Sequence, residues 1–148
     1  MNTLATSVNI LFKPITEEEL LQAFVLMQQL REDITLEDFL FVHSKAKQCN
    51  QYTLIGAYDE EELVALMGYR ILYDYVHGKH LYIDDLVVSY KHRGQGFGAQ
   101  MLTYAEANAA KLLCNGVRLS TGVSNTEGIR FYEREGWQLK AYTYKKGF

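Results

Sequence analysis

The chain has 148 residues with a net charge of −3, and 48% of its residues are apolar against 22% charged. These proportions are those of an ordinary globular protein, and the length is enough to bury a full hydrophobic core. We therefore expect a single domain over residues 1–148. No basic run exceeds the pair Lys145–Lys146, which argues against a nucleic-acid partner, because such partners need a basic stripe against their phosphates.

Cysteine and histidine usage argues against a disulfide or a metal centre. Cys49 and Cys114 lie far apart without a CxxC pattern, so we interpret both as reduced core thiols of a cytoplasmic protein. The histidines lack the spacing of a zinc site and are interpreted as surface or turn residues: His43, His77, His80 and His92. No long apolar run or basic leader is present, so we expect neither a membrane span nor a signal peptide.

The first fifty residues predict one strand and two helices. Ser7–Pro14 alternates loosely and predicts a strand that ends at the proline. Thr16, followed three residues later by Glu19, predicts a capping box at the start of a helix. A second helix follows, with Asp33 or Thr35 as its cap.

Three β-rich runs come next, at Tyr52–Tyr58, Leu63–Tyr73 and His80–Val88. Short turns join them, of which the first is the acidic segment Asp59–Glu62. Consecutive strands with short connections predict an antiparallel meander.

The last third of the chain alternates helices and strands. It predicts a helix over Ala99–Cys114, a strand over Val117–Thr121, a short helix capped by Asn125, and a final strand over Trp137–Tyr144. Together with the meander, this order predicts a mixed sheet covered by helices, in the α/β or α+β class.

A glycine-rich segment, Arg93–Gly98, separates the third β-rich run from the helix that follows. Such glycines let backbone N–H groups close around a phosphate at the positive end of a helix, so we expect an anion site. Gly94, Gly96 and Ala99 also match the dinucleotide pattern G-x-G-x-x-G/A, which leaves a nicotinamide or flavin cofactor as an alternative. Against that alternative, the motif follows antiparallel strands, and the next strand does not end in an acidic residue that would hold a ribose.

Two motifs carry a resemblance to a known family. Arg93, Gly96 and Gly98 match the pattern R-x-x-G-x-G/A, and Asn125–Trp137 is similar to N-x-x-A-x-x-F-Y-x-x-x-G-F. In both motifs and in their order the chain resembles the GNAT superfamily of N-acetyltransferases. The second motif departs from the family pattern twice, with a glycine for alanine and a tryptophan for phenylalanine, and each change conserves the character of the residue.

The resemblance implies the GNAT acyl-CoA N-acyltransferase fold, with a mixed, mostly antiparallel twisted sheet, four helices and a splayed cofactor cleft. It also implies acetyl-CoA as the co-substrate, with the pantetheine arm paired to a strand like an added strand. The residues implied for the cofactor are Leu86, Val87 and Val88 of the strand, Arg93, Gly94, Gln95, Gly96, Phe97, Gly98 and Ala99 of the loop, and Asn125.

The implied reaction is direct transfer of the acetyl group to a primary amine of a small molecule or protein. An amine with a pKa of about 10.4 is almost fully protonated at pH 7, so a nearby carboxylate is needed as a base. Asp84 and Asp85 are the candidates, and their charge favours a cationic acceptor. In a regular strand they point to opposite faces unless a bulge intervenes, and an exposed or ion-paired structural pair is the alternative. Tyr132 is the candidate that protonates the leaving thiolate, with core packing as its alternative.

The acceptor and the partners are less well defined by the sequence. By resemblance, an acceptor pocket lies between the first two helices and the turn near Tyr75. The tyrosines either line this pocket or half-bury on sheet faces: Tyr69, Tyr73, Tyr75, Tyr82, Tyr142 and Tyr144. The aromatic C-terminal tail is a candidate homodimer contact. A non-catalytic acyl-CoA-binding module remains the second functional alternative.

Overall fold

The computed structural model of the protein describes residues 9–147. In chain order these residues form β1 (Ile10–Pro14), α1 (Leu20–Leu30), α2 (Leu36–Asn50), β2 (Thr53–Asp59), β3 (Glu62–Asp74), β4 (Gly78–Val88), α3 (Phe97–Lys111), β5 (Val117–Leu119) and α4 (Thr126–Arg134). Short 3-10 turns lie at Glu17–Glu19 and Tyr90–His92. The start of the first predicted strand, at Ser7 and Val8, lies outside the described residues. Within residues 9–147, every helix is too short or too polar to cross a membrane.

Side-chain caps lie at the start of the 3-10 turn that leads into α1 and at the start of α2. The Glu19 carboxylate accepts the backbone N–H of Thr16 at 3.1 Å, and the Thr35 hydroxyl accepts the backbone N–H of Asp38 at 3.0 Å. Each cap satisfies a polar group that has no partner inside the helix. The predicted capping box is confirmed, and of the two candidate caps for the second helix it is Thr35 that serves.

The strands form one sheet in the order β1-β2-β3-β4-β5. The pairs β1–β2, β2–β3 and β3–β4 are antiparallel, which confirms the predicted meander. The central strand β3 is buried without interruption from Leu63 to Tyr69. Because neighbouring side chains of a strand point to opposite faces, both faces of β3 are covered.

The two faces of the sheet carry different helices. Leu66 of β3 packs in one core with residues of α1 and with Phe39 of α2. Tyr69, three residues further along β3, faces the other side, where its hydroxyl accepts a hydrogen bond from the Asn108 side chain of α3 at 3.0 Å. The sheet therefore lies between a layer of α1 and α2 and a layer with α3.

The described chain falls into two compact units, residues 9–118 and residues 119–147. In the second unit the Asn125 side chain accepts the backbone N–H of Gly128 at 3.1 Å, at the start of α4. The predicted cap of this short helix is therefore confirmed.

The prediction of a final strand over Trp137–Tyr144 is wrong, because residues 137–147 form no strand. The backbone N–H of Trp137 instead donates to the carbonyl of Tyr132 at 2.9 Å, which closes the end of α4. The alternating side chains after it are exposed, Leu139 by 74% and Tyr142 by 78%. An apolar-polar alternation becomes a strand only when another strand pairs with its backbone, and the described sheet offers this segment none.

Candidate active site

A β-bulge in β4 brings two acidic side chains to the same face of the sheet. Gly68 of β3 pairs with Asp85, whereas the next residue, Tyr69, pairs with Ile83, so Asp84 is an extra residue in β4. A bulge suspends the usual alternation of side chains. Asp84 and Asp85 consequently line one pocket. The sequence left this arrangement conditional on a bulge, and the bulge is present.

Asp84 is held by an arginine on the neighbouring strand. Arg70 Nε donates to Asp84 Oδ2 and Arg70 Nη2 donates to Asp84 Oδ1, both at 2.8 Å. Such a two-pronged contact between a guanidinium and a carboxylate fixes the orientation of both groups. The side chains of the pair are only 27% and 23% exposed, so water screens the contact less than it does on an open surface.

Asp85 is held by two donors from different elements. Arg31 Nη2, just after α1, donates to Oδ1 at 3.0 Å, and the Tyr52 hydroxyl donates to Oδ2 at 2.8 Å. Burial raises the pKa of Tyr52, and the adjacent Asp85 raises it further, so the hydroxyl keeps its proton. Every carboxylate oxygen of the acidic pair thus has a donor, and the formal charges of the two acids and the two arginines cancel.

These residues belong to a pocket of about 400 Å³ between α1, α2 and β4, which we call the bulge pocket. This volume is in the range of small-molecule sites. Its apolar lining residues are Met27, Ile34, Phe39, Val42 and Ala46, and its polar ones are Arg31, His43, Asn50, Tyr52, Arg70, Asp84 and Asp85. The pocket therefore offers both charged and apolar contacts to a small ligand.

His43 contributes to the bulge pocket a buried ring nitrogen that is unpartnered within the described part of the chain. Its Nδ1 atom is buried and has no hydrogen-bond partner among residues 9–147. Burial lowers the pKa of His43 below its ordinary value of 6.5, and Lys47 lowers it further. Its ring lies 6.1 Å from that of Phe39 and 6.3 Å from that of Tyr52, centroid to centroid. The imidazole is thus neutral at pH 7 and able to take up a proton.

The lining of the bulge pocket differs from the tyrosines that the sequence suggested for an acceptor pocket. Tyr75 is fully exposed and does not line it. Of the candidate tyrosines in the first unit, Tyr69, Tyr73 and Tyr82 are not among its lining residues either, whereas Tyr52 is. The lining includes residues of α1 and α2, the two helices that the resemblance implies for an acceptor pocket, and the acceptor role itself stays a prediction.

Sequence reasoning missed Arg31, Tyr52, His43 and Arg70 as site residues. Only Arg70 has a signal in the sequence, because it is a charged residue within the mostly apolar run of the predicted strand Leu63–Tyr73. A charge in such a position needs an opposite partner nearby. The other three lie on segments whose proximity to β4 is set by tertiary packing.

The glycine-rich loop has the backbone expected of an anion site. Gly94 and Gly96 adopt φ angles of +76° and +84°, which side chains other than glycine rarely take. Residues Arg93, Gly94, Gln95 and Gly96 are exposed. The loop is therefore shaped by its own backbone, with open space above it.

The loop continues into the N-terminus of α3, which begins at Phe97, two residues earlier than predicted. The Gln100 N–H donates to the Gly96 carbonyl at 3.1 Å as the first bond of the helical ladder. The N–H groups of Phe97, Gly98 and Ala99 precede that ladder, at the positive end of the helix. The exposed glycines and the N–H groups at the start of α3 fit a diphosphate, which is the anionic group that acetyl-CoA would place here.

The strand residues expected to carry the pantetheine lie at the end of β4. Val87 is buried, whereas Leu86 and Val88 are half-buried. The backbone bonds between β4 and the segment entering β5 lie at the other end, where Leu81 N–H donates to the Gly116 carbonyl. Since β5 has three residues and β4 has eleven, β5 covers only part of this edge. The edge beside Leu86–Val88 fits an added strand-like ligand.

The two expected site residues of the second unit, Asn125 and Tyr132, lie at the start of α4 and on α4 itself. Asn125 uses its side-chain oxygen as the cap of α4 and donates from Nδ2 to the Thr121 hydroxyl at 2.9 Å. Tyr132 is half-buried, and its ring lies 5.2 Å from that of Phe131. Burial raises the pKa of Tyr132, so its hydroxyl is protonated at neutral pH and can donate a hydrogen bond.

Two interpretations of the histidines and cysteines need correction. His80 is not a surface residue, since only 1% of it is exposed. It lies beside His77 and Asp74, a grouping that the spacing of histidines alone did not reveal. Cys49 is exposed rather than a core thiol, and Cys114 is intermediate. Both cysteines are free, as expected.

Comparison with known proteins identifies the family. The Acetyltransferase (GNAT) family profile matches residues 15–137. The chain is 30% identical over 132 residues to an uncharacterised N-acetyltransferase, YhdJ, of Bacillus subtilis, covering 88% of this chain and 93% of that one. This chain belongs to the GNAT acetyltransferase family. It is also 30% identical over 98 residues to the spermine/spermidine N(1)-acetyltransferase of Bacillus subtilis, which covers 64% of each chain.

A solved GNAT structure supports the fold. The aminoglycoside N-acetyltransferase AAC(6')-Iy, solved in complex with CoA, superposes with a TM-score of 0.79 at 16% identity, over 93% of this chain and 95% of that one. As a GNAT enzyme, this protein is an acyltransferase that moves an acetyl group from acetyl-CoA to an amine. Family membership decides against the dinucleotide cofactor and against the non-catalytic binding module.

Proposed function

We propose that this GNAT enzyme acetylates a small primary amine that is held in the bulge pocket. The observation that carries the proposal is the bulge itself, because it places two carboxylates in one small-molecule-sized pocket on the strand that leads to the glycine loop. A pocket of about 400 Å³ suits a small acceptor better than a folded protein surface.

The pairing of the acids affects which amine suits the pocket. Asp84 and Asp85 are each matched by an arginine, so a polycation meets no uncompensated negative charge there. Arg31 is 53% exposed and bonds Asp84 and Asp85 only through Nη2, which leaves its other N–H groups for an anion. The proposed acceptor therefore carries one amine and one acidic group, with an apolar portion against Phe39 and Val42.

The cofactor assignments follow the fit of the loop and the strand edge. The backbone N–H groups of Arg93, Gly94, Gln95, Gly96, Phe97, Gly98 and Ala99 would hold the diphosphate, and Leu86, Val87 and Val88 would pair with the pantetheine. Arg93 braces this loop, since its guanidinium lies 4.3 Å from the ring of Tyr90 and its Nε reaches the Val88 carbonyl at 3.4 Å. Acetyl-CoA supplies the activated acetyl group when it is bound.

The proposed proton transfers use groups of this chain. A carboxylate of Asp84 or Asp85 accepts a proton from the amine, either directly or through water, and the neutral imidazole of His43 is a second acceptor in the same pocket. Tyr132 is the proposed donor to the leaving thiolate, a role supported by its hydroxyl, which burial keeps in the protonated form by raising its pKa. Asn125 is proposed to support the cofactor through its position at the start of α4.

The proposal is tested by acceptor-dependent thiol release from acetyl-CoA. The amines to compare are an aminoalkylphosphonate, an α-amino acid with an apolar side chain, phenethylamine and spermidine. We expect the first two to give the highest kcat/KM. Asp84→Asn or Asp85→Asn should lower kcat by about 10²-fold or more, as loss of a general base does. Glu61→Gln, in the exposed β2–β3 turn, is the matched control and should be unaffected.

Different results separate the parts of this proposal. Full activity of both asparagine variants would refute the bulge pocket as the acceptor site. Preference for spermidine would refute the proposed acceptor chemistry while keeping the site.

Three further expectations, on cellular location, oligomeric state and domain organisation, also belong to the proposal. A cytoplasmic location is supported by two free cysteines, of which Cys49 is exposed and would be vulnerable in an oxidising compartment. A homodimer is supported by the exposed tail residues Leu139, Tyr142 and Tyr144. The family profile spans both compact units, which supports one functional domain over residues 1–148. Light scattering of the purified chain tests the dimer, with a monomer mass as the contrary result.

A further inference from the structure

The end of the β3–β4 hairpin carries a cluster of metal-ligating side chains away from the bulge pocket. Asp74 is the last residue of β3, His77 lies in the turn, and His80 is near the start of β4. One donor atom from each lies within 4.8 Å of the other two. His77 Nδ1 is 3.1 Å from Asp74 Oδ1, and His80 Nε2 is 3.8 Å from Asp74 Oδ2.

These distances are close to those around a tetrahedral metal ion. With metal–ligand bonds of about 2.0–2.1 Å, neighbouring ligand atoms of a tetrahedral zinc site lie about 3.3 Å apart. The cluster therefore needs movements of only about an ångström to take three corners, and solvent can supply the fourth.

A cation already occupies the centre of the cluster. Arg118 Nη1 lies 3.1 Å from His77 Nδ1, 3.0 Å from His80 Nε2 and 3.3 Å from Asp74 Oδ2. The Nη1 atom has two N–H groups to share among these three neighbours, so the guanidinium does not satisfy all of them at once. A metal ion at the same position would bind through a lone pair of each imidazole.

The surroundings hold the ligands in place. His80 Nδ1 is 3.3 Å from the Gly78 carbonyl, so its N–H points there and its Nε2 lone pair points to the centre. The His77 backbone N–H donates to Asp74 Oδ1 at 2.7 Å. His80 is buried, whereas more than a third of His77 and of Asp74 is exposed, so an ion has access from solvent.

We propose that Asp74, His77 and His80 bind a divalent transition-metal ion, with Zn²⁺ as the best match, in competition with the guanidinium of Arg118. Two imidazoles and one carboxylate favour zinc over calcium or magnesium, which prefer oxygen ligands. Arg118 has an alternative contact when displaced, because its guanidinium already lies 5.3 Å from the ring of Tyr82. The competition makes a specific prediction, namely that removing Arg118 strengthens metal binding.

The test is calorimetric titration of chelator-treated protein with ZnCl₂, beside Co²⁺, whose visible absorption reports tetrahedral coordination. All variants carry Cys49→Ser, which removes the exposed thiol as a competing zinc ligand. We expect one ion per chain, binding at least about tenfold weaker in His77→Gln, and binding at least about tenfold tighter in Arg118→Gln. His77 is the ligand chosen for substitution because it is partly exposed, so its loss is compatible with folding, and circular dichroism checks this.

Three outcomes overturn the proposal. They are an absence of saturable Zn²⁺ binding in the starting protein, equal affinity in His77→Gln, and an affinity in Arg118→Gln that is no higher than in the starting protein. MgCl₂ is the control ion and should not compete. None of these readouts requires acetyl transfer, so they are independent of the proposed acceptor site.

Discussion

The contact between Gly68 and Tyr52 gives the sharpest test of how the bulge pocket is built. Gly68 lies opposite Asp85 in the sheet, and the Tyr52 ring packs directly on it. A Cβ atom at position 68 would lie 1.7 Å from the Tyr52 hydroxyl oxygen and 2.2 Å from Cζ. Gly68→Ala must therefore displace the ring and break the 2.8 Å hydrogen bond from Tyr52 to Asp85.

The expected cost has two parts. Overpacking costs about 1–3 kcal/mol, and the loss of a hydrogen bond to a charged group costs about 1.5–3 kcal/mol. Because the ring relieves the overlap by giving up the bond, the two parts overlap, and we expect a total of about 2–4 kcal/mol in the free energy of unfolding. In a Tyr52→Ala background the ring is absent, so the same substitution should cost less than about 1 kcal/mol.

Urea denaturation of the four proteins of this double-mutant cycle measures the coupling. Gly116→Ala is the matched control, because a Cβ there meets no atom within 4 Å, and it should be near neutral. The acceptor KM of Gly68→Ala should rise with the loss of the Tyr52 contact. An equal cost of Gly68→Ala in both backgrounds would refute the reasoning, since the Tyr52 ring would then not be the obstacle.

Further substitutions test the loop, an acid-sensitive contact and a cap. Gly94→Ala and Gly96→Ala should each cost about 1–2 kcal/mol through the left-handed backbone and raise the KM for acetyl-CoA alone, in steady-state assays. The pKa of Glu19 is lowered from 4.5 to about 2, mainly by the hydrogen bond from the Tyr58 hydroxyl. The stabilisation of the fold by this hydrogen bond is therefore complete above pH 4.5 and is lost as the pH falls toward 2. The stability deficit of Tyr58→Phe should shrink over that window in urea titrations, whereas a pH-independent deficit contradicts the linkage. Thr35→Ala should lower stability by about 1 kcal/mol, with Thr35→Ser restoring it.

Much of the fold could be predicted because its signals are local. A capping box spans three residues, a helix-capping threonine acts within its own turn, and the meander follows from short connections between strands. The glycine loop is local too, since positive φ angles at Gly94 and Gly96 depend on the absence of a side chain. The boundaries of these elements differ from prediction by a few residues, as helix and strand ends usually do.

The pocket partners could not be predicted because they act across the chain. The contacts of Asp85 join it to Tyr52 and Arg31, which are 33 and 54 residues away in sequence. The bulge depends on the register of β4 against β3, which no pattern within β4 alone encodes. The final strand failed for a related reason, because its alternation is a property of the segment while its pairing requires a partner.

The bulge also explains the pattern of apolar residues along β4. Before it, Leu81 and Ile83 lie on the same side as the α3 layer, and after it, Leu86 and Val88 take over that side, so the apolar positions change from odd to even numbers. A single deletion within a strand normally turns the remaining side chains inside out. Deletion of Asp84 would instead leave a strand with regular alternation, in which Asp85 keeps its position opposite Gly68. Asp84 is thus an extra residue in an otherwise regular strand, and it adds a carboxylate partner for Arg70 without shifting the apolar side chains on either side of it.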